Sequence, residues 1–222
     1  MDYQFDFGVI ATHAPDLLLG CLKTLQLSAL SICLALALSL VLLLGLRSRY
    51  TALHWPIVGF IELVRNTPFL VQIFVLFFGL PVLGVRLSPT VAAVLALTLN
   101  GAAYVTEIIR GGMESISKGQ TEAGLALALR PFQVFRHIIL KPALRAIYPA
   151  LVSQFIFLML TSSIVSSISA DELTHVAAVL EGRTFRSFEI YFAVAGLYLA
   201  MSMLLSAVFA FIYRATLNYP SR

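Results

Sequence analysis

The segment GQTEAGLALALRPFQVFRHIILKP, residues 119–142, is a partly polar stretch with basic residues that lies between long apolar runs. Its apolar residues recur at i, i+3, i+4 and i+7, the spacing of one helical face: Leu125, Ala128, Leu129 and Phe132. Pro131 disfavours helical geometry at Arg130, but a proline can serve as the first residue of a helix. The sequence therefore predicts a short helix, a turn and a second helix that leads into the next apolar run.

The composition around this segment is that of an integral membrane protein. Of the 222 residues, 59% are hydrophobic and only 12% are charged, whereas a soluble domain carries about 25% charged residues. The net charge of +4 comes from basic residues that stand singly between apolar runs. Nucleic-acid-binding proteins cluster such residues on one surface, so the charge favours basic loops at a membrane face.

Five apolar runs can each supply the roughly 20 residues that a helix needs to cross a bilayer. They cover about 17–46, 56–83, 88–109, 148–169 and 189–213. The sequence thus predicts an all-α, polytopic membrane protein with five transmembrane helices in a single domain, residues 1–222. A loop over about 111–142 connects the third and fourth spans.

The basic residues predict the orientation of the chain, because cytoplasmic loops are enriched in Lys and Arg. Arg65 lies inside the second run and is left out of the count. One set of span ends holds ten basic residues: Arg47, Arg49, Arg110, Lys118, Arg130, Arg136, Lys141, Arg145, Arg214 and Arg222. The other set holds four: Lys23, Arg86, Arg183 and Arg186. The first set is predicted to be cytoplasmic, which puts the N-terminus outside and the C-terminus inside.

Two pairs of opposite charges lie in or beside apolar runs. Glu62 and Arg65 are three residues apart near the start of the second run, and Glu107 and Arg110 repeat that spacing at the end of the third. Charges at membrane depth are costly, and residues at this spacing can pair on one helix. We interpret the pairs either as structural pairs at the membrane interface or as part of a gate.

Uncharged polar residues occur inside three of the runs. The fourth run contains Thr161, Ser162, Ser163 and Ser166, and Ser162 and Ser166 share one helical face with Ser169. Such residues either allow close helix packing and interhelical hydrogen bonds or form the polar wall of a translocation pathway. The same two interpretations apply to three polar residues of the second and third runs: Gln72, Asn100 and Tyr104.

The sequence contains no pattern that predicts catalysis or a metal site. No G-x-S-x-G nucleophile motif occurs, and no Cys/His cluster has the spacing of metal ligands. The dipeptide Gly-Lys is absent, which excludes a Walker A loop. Any work driven by ATP therefore requires a partner, and we expect no cofactor on this chain.

Three segments together carry a resemblance to a known family. GQTEAGLALALRPFQVFRHIILKPALRAIYP, residues 119–149, resembles the "EAA" loop of bacterial ABC-importer membrane subunits. ELVRNTPFLVQIFVLFFGLP, residues 62–81, is similar to the E-x-x-R-G-T-P-x-L-V-Q signature of polar amino-acid permeases of the histidine/glutamine type. AAYVTEIIRGGMESISKGQTEA, residues 102–123, looks like the stretch that joins the third span of that family to its coupling helix. The resemblance extends over residues 19–214.

The resemblance implies a type I ABC-importer permease in the inner membrane of a bacterium. Its expected partners are a second permease, two cytoplasmic ATPases that bind ATP and Mg, an extracytoplasmic substrate-binding protein, and an amino-acid substrate. The expected coupling helix covers 119–130 and docks on the ATPase. Its motif residues are Gly119, Gln120, Glu122, Ala123, Gly124 and Ala128.

The chain departs from the family pattern at several positions. Gly124 replaces the usual Ala, Ala128 replaces the usual Gly, and Pro142 comes one residue late. Asn66 stands at the Gly of R-G-T-P. The family's K-D-T-S-L reads LTSSI here, residues 160–164, so the Lys and Asp are missing. We therefore favour a heterodimer with a sister permease over a homodimer.

Two other functions fit a membrane protein with a docking loop. One is a non-transporting docking or sensor subunit, and the other is a secondary transporter. Secondary transporters typically contain inverted repeats and discontinuous helices, and the sequence shows no convincing internal repeat. The importer subunit is the interpretation that the combined motifs favour.

Overall fold

The computed structural model describes residues 4–217, and every regular element in that range is helical. In chain order the elements are α1 (Gly8–Thr12), α2 (Ala14–Leu46), α3 (Thr51–Arg65), α4 (Phe69–Leu83), α5 (Pro89–Glu114), α6 (Lys118–Ala126), α7 (Pro131–Ile168), α8 (Leu173–Thr184) and α9 (Ser187–Thr216). Four of these helices are long and apolar enough to cross a membrane, namely α2, α5, α7 and α9. The all-helical membrane fold predicted from the sequence is therefore confirmed.

The second predicted span differs from a single crossing helix. Residues 56–83 fall on α3 and α4, which together are apolar enough for a span but are bent by 113°. Pro68 lies at the bend, and a proline disfavours helical geometry at the residue before it, here Thr67. Side chains at the bend satisfy the end of α3: the Asn66 amide donates to the Glu62 carbonyl at 2.8 Å, and the Thr67 hydroxyl donates to the Leu63 carbonyl at 2.7 Å.

The fourth predicted span begins earlier than residue 148, because α7 is helical from Pro131 onward. A π-helical turn at Phe135–Ile139 lies just before Pro142. The segment between the fourth and fifth predicted spans also contains a helix, α8.

Small residues allow the central helices to approach closely. The buried face of α2 includes Thr24, Ser28, Ser31, Ala35 and Ser39, and that of α5 includes four alanines and a glycine: Ala92, Ala93, Ala96, Ala103 and Gly101. A Cβ atom on Gly101 would lie 2.6 Å from the Cδ1 atom of Leu158 and 3.0 Å from the Cβ of Ala35. Close packing through small residues is how helices associate in lipid, and it fixes α2, α5 and α7 against one another.

Candidate functional site

Helix α6 and the charged ends of α5 and α9 lie at the same end of the bundle, which we call the basic end. Helix α6 is anchored to the first turns of α7 through one glycine. A Cβ on Gly124 would lie 2.7 Å from the Cδ1 atom of Ile138 and 3.0 Å from the Cγ2 atom of Val134. Gly119, Gln120, Glu122 and Ala123 are all exposed. Four of the six predicted coupling residues thus lie on the exposed surface of a short helix, whereas Gly124 lies on its packed side.

The end of α6 differs from the predicted apolar stripe. Helix α6 ends at Ala126, and Ala128 has a left-handed backbone with φ +59°. The Leu129 N–H donates to the Gly124 carbonyl at 3.2 Å, and the Ala128 N–H donates to the Leu125 carbonyl at 2.9 Å. These two bonds form a Schellman cap. The stripe of residues 125–132 therefore does not lie on one helix, and the predicted 119–130 helix is four residues too long.

The left-handed conformation of Ala128 leads to a stability prediction. Because a left-handed L-residue costs about 1–2 kcal/mol, Ala128→Gly is expected to stabilise the end of α6 by about 1 kcal/mol. The matched control is Ala123→Gly, which lies inside the helix and should destabilise it by about 0.5–1 kcal/mol. Amide hydrogen exchange over residues 124–129 measures both. Equal destabilisation by the two variants would contradict a left-handed Ala128.

Gln72 and Asn100 are brought together at the bend between α3 and α4. The Asn100 amide donates to the Gln72 side-chain carbonyl at 3.0 Å, and the Gln72 amide donates to the backbone carbonyls of Val64 at 2.7 Å and Thr67 at 3.1 Å. Asn100 is only 6% exposed. This arrangement satisfies carbonyls at the end of α3 and connects the bend to α5, so hydrogen bonds within the chain use much of the polar capacity of the Gln72 amide.

The charged residues form a chain that differs from the two predicted pairs. Glu107 and Arg110 pair on α5, with 2.8 Å between the Glu107 Oε2 and Arg110 Nη2 atoms. Arg65 does not pair with Glu62, because its guanidinium crosses to Glu107 at 3.3 Å. Arg110 also contacts Glu114 at 2.9 Å. The prediction of a separate Glu62–Arg65 pair is therefore wrong: the bend directs Arg65 toward α5.

Glu62 and Tyr104 complete this group. The Glu62 carboxylate accepts a hydrogen bond from the Asn66 amide at 2.8 Å. The Tyr104 hydroxyl donates to the Arg65 carbonyl at 3.4 Å, and the Arg65 guanidinium lies 5.7 Å from the centre of the Tyr104 ring. A cleft of about 380 Å³ at the basic end is lined by Glu62 together with Glu107 and Arg110. Glu62, Glu107 and Arg110 therefore line a cleft between α2, α3 and α5 whose other lining residues are largely apolar.

The hydroxyl groups of the fourth span bond to their own helix. Ser162 is fully buried, and its hydroxyl donates to the Met159 carbonyl at 2.6 Å. Ser163 and Ser166 donate to carbonyls three residues earlier, at 2.8 and 2.7 Å. Thr161 is buried, at 8% exposure. Because residues 162–168 form a 3₁₀ helix and Ser169 is left-handed, the predicted common face of Ser162, Ser166 and Ser169 does not form.

A buried carboxylate at the opposite end of the bundle was missed in the sequence. Glu172 is fully buried at the start of α8, where it accepts the Thr174 and His175 N–H groups at 2.9 and 2.6 Å. The Tyr198 hydroxyl of α9 donates to it at 2.7 Å. The available signal was an acidic residue directly before a helix, where a side-chain oxygen can accept the first free N–H groups, although Glu is not among the usual N-cap residues. Glu172 thereby joins α8 to α9.

The burial of Glu172 leads to a pH prediction. Burial raises the pKa of the Glu172 carboxyl above its ordinary value of 4.5. The protonated Glu172 carboxyl therefore stabilises the fold fully below pH 4.5, and this stabilisation is lost as the pH rises through the folded-state pKa. We expect amide exchange in α8 to slow as the pH falls from neutral toward that range, after correction for the intrinsic rate. Glu172→Gln should flatten this dependence, and an unchanged profile would assign it to another group.

The comparisons with known proteins agree with this geometry. The family described as "Binding-protein-dependent transport system inner membrane component" matches residues 24–217. The chain belongs to this family. It is 38% identical over 210 residues to the glutamine transport system permease protein GlnP of Escherichia coli K12. The aligned region covers 92% of this chain and 94% of that relative.

Other relatives of this inner membrane component include two proteins of Bacillus subtilis. These are the probable glutamine ABC transporter permease proteins GlnP and GlnM, each 36% identical to this chain. The match to GlnP covers 84% of this chain and 87% of that relative, and the match to GlnM covers 71% and 73%. A solved amino acid ABC transporter with histidines superposes with a TM-score of 0.90 at 31% identity, covering 96% of this chain and 100% of that one. The MetNI methionine ABC transporter shares the fold, with a TM-score of 0.72 at 22% identity over 90% of this chain and 95% of that one.

Proposed function

We propose that this chain is the membrane subunit of an ATP-driven importer of polar amino acids. The observation that carries the proposal is α6, a short exposed helix anchored through Gly124 to the start of a membrane-spanning helix. The chain is expected to provide half of the translocation pathway. Its basic end is expected to face the cytoplasm, with the N-terminus outside.

Helix α6 can transmit force because it is attached to long rigid elements. It follows α5 after a short turn and packs on Val134 and Ile138 of α7. Movement of α6 on an ATPase that binds ATP and Mg would therefore displace α5 and α7. ATP can shift the permease between inward-open and outward-open states only because it binds those two states of the complex with different affinities.

We further propose that the second permease is a related sister chain. The sequence of residues 160–164, the segment expected to line the pathway, supports this proposal because it offers hydroxyl groups but no charged side chain. Those hydroxyls donate to carbonyls of their own helix. A charged substrate would then need charges from the sister chain. The naming of two glutamine permeases in B. subtilis fits such a pair.

Mass spectrometry of the complex purified gently through a tag on this chain tests the proposal. Recovery of an ATPase and a second, similar permease supports the heterodimeric importer. An ATPase with this permease alone would mean a homodimer. The absence of an ATPase, under conditions that preserve a known importer, would contradict the importer and favour a secondary transporter.

The pathway assignment makes a separate prediction about Ser163. Ser163 is partly exposed, so Ser163→Phe is expected to reduce uptake on the order of tenfold by filling the pathway, while the chain still inserts. The matched control is Ser153→Phe, at an exposed position of the same helix. Radiolabelled uptake into vesicles measures both variants. Full uptake by Ser163→Phe would exclude this face from the pathway.

A further inference from the structure

A groove at the basic end lies between the first turns of α7 and the last turn of α9. Its volume is about 440 Å³, and Phe132, Phe135 and Leu144 of α7 line one side. Thr216 and Leu217 line the other side. Phe132 is 68% exposed. An exposed apolar groove of this kind is suited to an apolar chain.

Two cations lie in the same groove. Arg136 and Lys141 are both lining residues, and both are exposed. Within residues 4–217, neither cation forms an ion pair with an acidic side chain. Their charges are therefore available to an anion. Guanidinium and ammonium groups are the side chains that bind phosphate.

The groove lies at the level where a membrane changes from apolar to polar. The apolar stretch of α9 ends at Tyr213 and Arg214, within one turn of Thr216. Tyr and basic residues mark the membrane–water interface. The groove therefore places its cations near the headgroups, with Leu140 and Leu144 further along α7 toward the acyl chains.

We propose that this groove binds an anionic phospholipid of the cytoplasmic leaflet. The lipid phosphate pairs with Arg136 and Lys141, and an acyl chain lies along Leu140 and Leu144. Basic pockets between transmembrane helices on the cytoplasmic side recognise such headgroups. The proposal rests on the orientation given above, in which the basic end faces the cytoplasm.

Native mass spectrometry of the full-length chain tests the proposal, with phosphatidylglycerol and phosphatidylcholine of equal acyl composition as probes. We expect the wild-type chain to prefer phosphatidylglycerol. Arg136→Gln combined with Lys141→Gln should lower the affinity for phosphatidylglycerol on the order of tenfold, because each cation near an anionic headgroup contributes to the free energy of binding. The control, Arg49→Gln with Lys118→Gln, removes the same charge from the basic end outside the groove and should retain the preference.

Three outcomes would overturn the proposal. The first is equal binding of the two lipids by the wild-type chain. The second is equal loss in the control, which would mean that net charge alone attracts the lipid. The third is displacement of the lipid by millimolar inorganic phosphate, which would identify a site for a free anion. If the recovery of the ATPase depends on Arg136 and Lys141 while the lipid preference does not, the groove is a docking surface for the ATPase instead. Lipid binding needs no transport, so this test can fail while the importer assignment stands.

Discussion

Glu122→Arg is expected to reduce uptake and the recovery of the ATPase on the order of tenfold or more, while the amount of chain in the membrane stays unchanged. Glu122 is exposed on α6 and makes no ion pair within the described residues, 4–217. Its carboxylate is therefore available to a basic residue of the ATPase. Charge reversal places two cations against each other at that interface. Because Gly124 anchors the other side of α6, the helix cannot easily rotate to relieve the repulsion.

The matched control is Asp16→Arg, which makes the same change in net charge at the opposite end of the bundle. Asp16 is 61% exposed and contacts only His13 among the ion pairs of the described residues. Its reversal should leave ATPase recovery intact. Co-purification of the ATPase at the wild-type level with Glu122→Arg would contradict the role of α6 in coupling. Loss of the ATPase in both variants would instead indicate a general effect of charge.

The sequence predicted the parts of the fold that follow from local chemistry. Pro131 marked the start of a helix, and the apolar runs marked the spans, because hydropathy and proline geometry act over a few residues. The end of α6 was missed because its apolar spacing continues through a left-handed residue, Ala128. Spacing along a sequence does not reveal the sign of a backbone angle.

The bend at Pro68 was missed for a related reason. Residues 56–83 are apolar on average despite the polar stretch at 62–68, so a hydropathy average gives one span where the chain turns by 113°. The bend also decided which polar groups met. Arg65 reached Glu107 of α5, and the Gln72 amide bonded to the end of α3. Such tertiary contacts depend on a direction of the chain that residue spacing does not contain.

Gln72→Leu is expected to lower the free energy of unfolding by about 2–4 kcal/mol, because it leaves several buried polar groups without partners. The variant removes the donor to the Val64 and Thr67 carbonyls and the acceptor of the Asn100 amide. Asn100 is 6% exposed, so water cannot readily replace that bond. Unfolding of the purified chain in detergent by a denaturant measures the change.

Gln154→Leu is the matched control, since it makes the same substitution in another span. The Gln154 Nε2 atom is buried and has no hydrogen-bond partner among residues 4–217, so its replacement by an apolar side chain should be neutral or stabilising. Equal effects of the two variants would contradict the network at the bend. The pair also separates the two interpretations of Gln72. A residue that only lines the pathway would lose uptake at unchanged stability, whereas a residue that holds the bend loses both. Because the Gln72 amide already spans α3 and α5, we expect the second result, with uptake falling in proportion to the folded fraction.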